Sequence, residues 1–460
     1  MIIDEIKKLK DNMPDLQIKE VSFNMEKVYV INIQTVSSSI LTNQYVMDYL
    51  ANRSLFNKSS FSLKKDIINH IPSISFISVS KDNYLDYLFN GFSLIVYKNE
   101  MIVFETKATL DRGVGEPSSE PAVKGPKDAF NENYNTNVGL IRKRIKSKNL
   151  ILKEFILGSE TKTKTALFYM ENKVDKKLLN DVVSKINSIS SDKVLDTYYI
   201  KDLIKNENKS SFPTIRSSEK PDLICKSIID GKICIMCENS NNVLIIPTYF
   251  LDYFFYDEDN YQKSMFVVFV KIIRILALFT TIFLPGIYLS LITYDQGMLP
   301  TSLLINFATQ RASVPFPALI EVILLLLAFE FLYDGDELTP NSRGTSLSIL
   351  GALVLGDAAV SAGIVSPISV IVVAISAISS IFFVYFDFQS FVRIYRYLVM
   401  GLSCLFGIIG VLFGFIIVVT KLCSLKSFGK PFMIGISTFI KTKNKSLKVI
   451  SASKEESWKK

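Results

Sequence analysis

From about residue 264 the chain carries apolar runs too long for the core of an ordinary soluble domain. Four of them, 275–292, 347–365, 368–386 and 398–420, approach or reach the ~20 residues that cross a bilayer as a helix. Inside hydrocarbon every backbone N–H and C=O has to be satisfied within the protein, and a single apolar run does this only as a helix. Residues 261–425 are therefore expected to form an α-helical polytopic transmembrane domain of four to five spans. Ahead of them, up to about residue 260, charged and apolar residues alternate as in a soluble protein. The overall 49% hydrophobic and 21% charged content averages over this split.

A shorter run, ALIEVILLLLAFEFLY (318–333), is marginal for crossing and carries Glu321 and Glu330. It reads as a re-entrant or steeply packed helix in protein surroundings. The DGDE that follows at 334–337 is too short for a calcium loop and reads as a solvated acidic turn. Residues 295–346 hold six acids against Arg311 and Arg343, whereas the tail from residue 441 has seven lysines against two glutamates. The positive-inside rule places that basic tail (426–460) in the cytoplasm. The start, MIIDEIKKLKDNMPDLQ, has no secretory-signal pattern, so the N-terminal region is expected on the same side. Two cytoplasmic ends need an even number of crossings. That favours four spans, with the difficulty that Arg393 and Arg396 then fall on the outer side.

Acids inside a membrane are costly and point to function. Glu321, Glu330 and Asp357 are the candidates for an ion path. Each either faces water and attracts cations or is paired inside the bundle. Nine residues separate Glu321 from Glu330, which turns them about 180° apart on one helix. Small residues around Asp357, in LGALVLGDAAVSAGIV, also suit close helix packing.

The soluble part reads as two α/β subdomains, 1–107 and 151–260, joined by a linker and helix at 108–150. EKVYVINIQT and the hairpin FSLIVYKNEMIVFETK give strands in the first, with helical spacing between them. TKTALFYMEN, the amphipathic KKLLNDVVSKINSI and the hairpin GKICIMCENSNNVLIIP give strand, helix and hairpin in the second. Its Cys234 and Cys237 form a CxxC on a strand, where residues three apart point to opposite faces, so they read as small buried hydrophobes and not a zinc site. The single His70 reads as structural. No phosphate loop, HExxH or GxSxG is present, and nothing pairs a nucleophile with a base. A binding and assembly module is expected, not an enzyme, with no cofactor and no metal. The net charge of +8 fits lysine and arginine on a cytoplasmic face better than nucleic-acid binding, for which no motif is present.

Between the subdomains lies PAVKGPKDAFNENYNTNVGLIRKRI (121–145). Read as a helix from Pro126, it carries an apolar stripe of Phe130, Tyr134, Val138, Ile141 and Ile145, with its basic knot at the C-terminal end. This segment resembles the signature of the GerA family, the A subunits of bacterial spore germinant receptors. Glu116, Pro117 and Glu120 match it, then Lys124, Gly125, Pro126, Phe130, Glu132, Asn137, Leu140, Ile141, Arg142, Arg144 and Ile145. FPTIRSSEKPDLI, VLIIPTYFLDYF, LPGIYLSLITY, PFPALIEV, GDAAVSAGIVSPISVIVVA and LCSLKSFGKPF extend the resemblance in the same order from about residue 90 to 432. Lys124 and Lys127 stand where arginine is common, Gly115 where an acid is common, and SEKPD departs from the usual form.

The resemblance implies a subunit of a nutrient-sensing complex in the inner membrane of a dormant spore. Its implied partners are a transporter-like B subunit, a C lipoprotein and further copies of the A subunit, in contact with membrane lipid. The implied activity is that of a nutrient-gated cation channel; the alternative is a non-conducting scaffold, like the homologue associated with dipicolinate release. The signature helix either docks between the subdomains or contacts a neighbouring subunit, with its arginine forks meeting acids such as Glu116 or Glu120.

Overall fold

The structure is a computed structural model. It describes residues 2–23, 26–47, 76–81, 83–98, 100–108, 125–205, 212–254, 256, 259, 264–338 and 356–434. The chain divides into two compact units. One holds Met1–Asn208, Ile215–Thr248 and Ser427–Gly429; the other holds Lys209–Thr214, Tyr249–Lys426 and Lys430–Lys460.

The first unit contains two five-stranded antiparallel sheets. Helix α1 (Ile2–Asn12) leads into β1 (Leu16–Phe23) and β2 (Glu26–Ile33), which pair along their full length. After β3 (Phe76–Ser78) and the short α2 (Tyr84–Phe89), the expected hairpin forms as β4 (Phe92–Tyr97) and β5 (Glu100–Glu105). Lys98 turns it at φ 50°. The sheet order is β1-β2-β4-β5-β3. Its core gathers Ile6 from α1, Leu88 and Phe89 from α2, and alternate strand residues such as Ile31, Leu94 and Val103. The stretch SLKKDIINHIP, with His70, lies outside the described residues.

Helix α3 (Tyr134–Arg144) precedes the second sheet, ordered β6-β7-β9-β10-β8. Strands β6 (Leu150–Leu157) and β7 (Thr163–Met170) are followed by α4 (Lys176–Asn187) and α5 (Thr197–Ile204). Next come β8 (Arg216–Ser218), α6 (Pro221–Ile229), β9 (Ile233–Cys237) and β10 (Val243–Ile246). Side chains alternate between the faces of a strand, so this sheet feeds two cores. Ala166, Phe168, Cys234, Met236, Val243 and Ile245 pack against α3 and α6. Leu167, Ile233, Ile235, Cys237, Leu244 and Ile246 pack against α4 and α5. Burial on both sides explains why β9 and β10 read as unbroken apolar runs. Cys234 and Cys237 sit in opposite cores, as their spacing requires. Burial holds the thiols of Cys225 and Cys237 up at about 12.

The second unit is helical. Among the described residues, two helical runs, Met265–Thr293 and Phe386–Ser424, are long and apolar enough to cross a membrane, the second of them broken at Gly407. Helix α7 (Ser264–Thr293) is followed by α8 (Thr301–Arg311), α9 (Ala318–Leu338), a short helical stretch at 356–361, α10 (Pro367–Ser380) and α11 (Phe386–Ser424). The run expected at 318–333 is longer than the sequence suggested: α9 has 21 residues and continues through 334–338, so DGDE is helical and not a turn. Asp334 lies 3.7 Å from Arg393, which offsets an acid at the unfavourable C-terminal end of a helix. The expected 368–386 run is a helix of only 14 residues. The expected 347–365 span lies mostly outside the described residues.

The 398–420 run is not one span. At Gly407 the backbone leaves helical geometry (φ 61°, ψ −140°). A Cβ on Gly414 would lie 2.8 Å from Val399, and one on Gly410 would lie 2.0 Å from the Leu402 carbonyl oxygen. In a continuous helix the first pair would be about 22 Å apart. The chain therefore folds back, and 386–406 and 408–424 are the arms of a helical hairpin. Hydropathy cannot detect the reversal, because both arms are apolar.

The bundle has two ends. At one, Tyr253 and Phe254 pack with Phe388, Phe391 and Phe432. At the other, Asp295 and Tyr294, just past α7, hold the Gly407 turn. Helix α9 begins beside Tyr288 and Leu289 of α7 and finishes with Tyr333 bonded to Gln389. Helix α10 begins where Ser369 meets Tyr288, and the chain after it reaches Phe254 through Phe383. Arg393 and Arg396 thus lie near the end where α7 starts and where the returning arm of α11 finishes.

Candidate functional site

Two constellations carry the residues that the sequence singled out. The first is the signature segment. Gly125 takes a left-handed φ of 100°, and residues 126–133 form a loop; the helix starts at Tyr134 and not at Pro126. The asparagines cause the delay. Asn133 Oδ1 accepts from the Thr136 amide, capping the helix, and Asn131 Oδ1 accepts from the Asn133 amide. Asn137, fully buried, accepts from the Asn131 amide at 2.9 Å and donates to its carbonyl. Such local side-chain bonds compete with helix formation and fix a loop.

This loop stitches the segment to the second sheet's own connections. Phe130 N donates to the Glu219 carbonyl, and the Glu132 carbonyl accepts from Asn239 N. Phe130, Tyr134, Val138, Leu140, Ile141 and Ile145 enter the core beneath that sheet, as the expected stripe requires. Tyr134 Oη donates to Glu154 at 2.7 Å, and burial followed by that bond pushes its phenol far up.

Arg142 is completely buried. Its Nε and Nη2 fork onto Asp15 at 3.1 and 2.9 Å, and Nη1 donates to the Leu150 carbonyl at 3.2 Å. Arg144 pairs with Asp128 and donates to the Leu140 carbonyl. Glu116, Pro117 and Glu120 lie outside the described residues. The partners of both arginines are thus acids of the same chain other than the two expected. Arg142 makes three of its five possible donor contacts inside the chain and is sealed from solvent in it. The signature helix ties the two subdomains, since Asp15 lies in the turn just before β1 of the first sheet and Leu150 opens β6 of the second. Asp15 stands 127 residues from its partner, with no local signal to reveal the pairing.

The second constellation holds the acids of the helical unit, which the structure keeps apart. Glu321 is fully buried; Oε1 accepts from the amide of Ser366 and from its hydroxyl at 2.7 Å. Ser366 caps α10, and Ser369, bonded to Ser366, also meets Tyr288 at 2.7 Å. Ser366 was not among the residues the sequence singled out; a Ser-Pro pair ahead of an apolar run is the local signal for such a cap. Glu330 faces a different neighbour, as a half-turn offset requires. Arg393 lies 3.0 Å from one of its oxygens and Arg396 2.5 Å from the other. A carboxylate held by two guanidinium groups has no charge left to attract a cation, so Glu330 is a bundle ion pair. Asp357, on the 356–361 helix, is exposed, and no hydrogen bond or ion pair joins it among the described residues.

Comparison with known proteins agrees with the signature. The family model described as Bacillus/Clostridium GerA spore germination protein matches residues 4–458. Spore germination protein KA of Bacillus subtilis (strain 168) is 34% identical over 341 residues, 74% of this chain; the match spans 63% of that protein, less than two thirds of its length. Spore germination protein B1 of the same organism is 30% identical over 441 residues, 94% of this chain and 90% of that one. Among solved structures, the N-terminal domain of the A subunit of the Bacillus megaterium spore germinant receptor GerK3 matches with a TM-score of 0.41 and 21% identity, over 54% of this chain and 94% of that one. By the reach of the family match along the whole chain, this protein belongs to the GerA family of spore germination proteins.

Proposed function

We propose that the chain is an A-type subunit of a nutrient-sensing receptor in the inner membrane of a spore. In this reading several copies assemble with a B subunit and a C lipoprotein and pass monovalent cations when nutrient binds. The first unit is the cytoplasmic assembly module and the helical unit spans the bilayer. Asp357 carries the reading. A carboxylate facing acyl chains costs about 2.5–3.5 kcal/mol at the bilayer centre. Asp357 is exposed on the isolated chain, so within a membrane it faces either water or another copy. The ion path suggested by Glu321, Glu330 and Asp357 thereby narrows to Asp357.

The fold-back at Gly407 supports an even number of crossings, because it returns the chain to the end where α7 began. Arg393 and Arg396 then lie on the cytoplasmic side with the basic tail, in keeping with the positive-inside rule. Helix α9, with 21 residues, is about 31 Å long and joins the spans.

A non-conducting scaffold is the second reading, favoured by the engagement of Glu321 and Glu330 in internal contacts. Reconstitution of the full chain with its B and C partners in a planar bilayer separates the two. Cation current that appears on adding nutrient supports the channel. A correctly assembled complex that stays silent in nutrient contradicts it.

A further inference from the structure

Glu321 is bonded through one oxygen only. Oε1 carries both contacts to Ser366, while Oε2 is sealed inside the bundle with no hydrogen-bond partner among the described residues. Facing it at 3.9 Å is Nε of Arg311, the last residue of α8; that side chain is partly exposed, but its Nε atom is buried and without a hydrogen bond among the described residues. The two complementary groups form a loose ion pair, each without a hydrogen bond and about 0.7 Å beyond hydrogen-bond range. Leaving either buried and unmade is unfavourable, and a charge-assisted pair between arginine and carboxylate is among the stronger hydrogen bonds.

We propose that Glu321 is the moving part of a latch with two alternative partners: Ser366 at the start of α10, held in this structure, and Arg311 at the end of α8. In the first position the carboxylate sits at the positive end of α10 and locks α9 to it. In the second it forks onto Arg311, the Ser366 amide loses its acceptor, and the Tyr288–Ser369–Ser366 chain of hydroxyls is released. Among the described residues Ser366 and Arg311 contact the carboxylate, and Ser369 of α10 and Tyr288 of α7 stand behind Ser366 in the same hydrogen-bonded chain. The step needs no change of protonation; it exchanges one hydrogen-bonded partner for another. A nutrient signal that displaces α8 relative to α9 would drive it. This role rests on the germination reading above, whereas the two-partner geometry does not.

The test compares Ser366→Ala and Arg311→Gln in the full chain, with helix content checked by circular dichroism. Hydrogen exchange on purified protein in lipid nanodiscs reads the amides of the first turn of α10. Ser366→Ala removes both the cap and the hydroxyl of the present partner and should speed exchange there by roughly tenfold. Adding Arg311→Gln to it, which takes away the competing partner, should reverse part of that gain, whereas equal exchange in the single and double variants would leave only the cap and overturn the latch. Arg311→Gln removes the competing partner and should leave exchange as slow as in the parent or slower. Spores carrying the variants are then exposed to rich nutrient medium: Ser366→Ala should germinate faster or without nutrient, and Arg311→Gln more slowly. Exchange that is unchanged in Ser366→Ala, or that rises equally in both, overturns the latch whatever the spores do. The expected exchange with unaltered germination leaves the latch standing and contradicts its role in germination.

Discussion

At the scale of residues, the pairing of Asp15 with Arg142 decides how the first, sheet-containing unit holds together. Both side chains are buried, at 4% and 0% exposure, so removing either leaves a charge in a low-dielectric interior. Arg142→Ala or Asp15→Ala should destabilise this unit by about 3–5 kcal/mol, read as an earlier denaturation midpoint. Arg142→Lys should not restore it, because an ammonium cannot reproduce a two-nitrogen fork. The cysteines give a second check. Cys225 and Cys237 keep their protons to about 12, against an ordinary 9.0, because burial disfavours the thiolate. Both should resist iodoacetamide at pH 8 while exposed Cys423 reacts, as peptide mapping would report. The unfolded chain releases these protons near 9 and the folded one holds them. Stability from this source is therefore complete below about pH 9 and falls as pH climbs toward 12.

At the scale of elements, the hairpin in α11 makes the sharpest structural prediction. Asp295 Oδ2 accepts from the Ile408 amide at 2.8 Å, Tyr294 Oη donates to the Cys404 carbonyl at 2.9 Å, and a Cβ on Gly407 would meet Asp295 at 2.8 Å. Cysteines placed at Val399 and Gly414 should cross-link under mild oxidation within one chain. Failure to cross-link in correctly inserted protein would mean that the run is one continuous helix. Gly407→Ala should reduce cross-linking, since it adds a Cβ at positive φ against a carboxylate. The β9–β10 hairpin and α4 were legible in the sequence because their periodicity is local. The reversal at Gly407 was not, because hydropathy records burial in lipid and not chain direction. The late start of α3 was missed for a related reason: helical spacing from Phe130 is genuine, but the asparagines use their side chains to hold the backbone in a loop.

At the scale of the whole molecule, the sequence distinguished a soluble region from an apolar one, and the family signature was legible because its residues lie in one short stretch. What each charged residue does was less so, since the deciding partners are remote: Asp15 for Arg142, Ser366 for Glu321, Arg393 and Arg396 for Glu330. Those partners divide the three acids. Glu330→Gln leaves two guanidinium groups beside a neutral amide, so it should lower the amount of folded protein in the membrane fraction, by immunoblot. Asp357→Asn removes a charge with no partner among the described residues and should leave that amount unchanged.

The most direct measurement is monovalent-cation release from spores after nutrient addition, in the parent and in Asp357→Asn spores matched for protein level. The channel account predicts release slowed several-fold or abolished in Asp357→Asn. Release at the parental rate would contradict a cation path past Asp357.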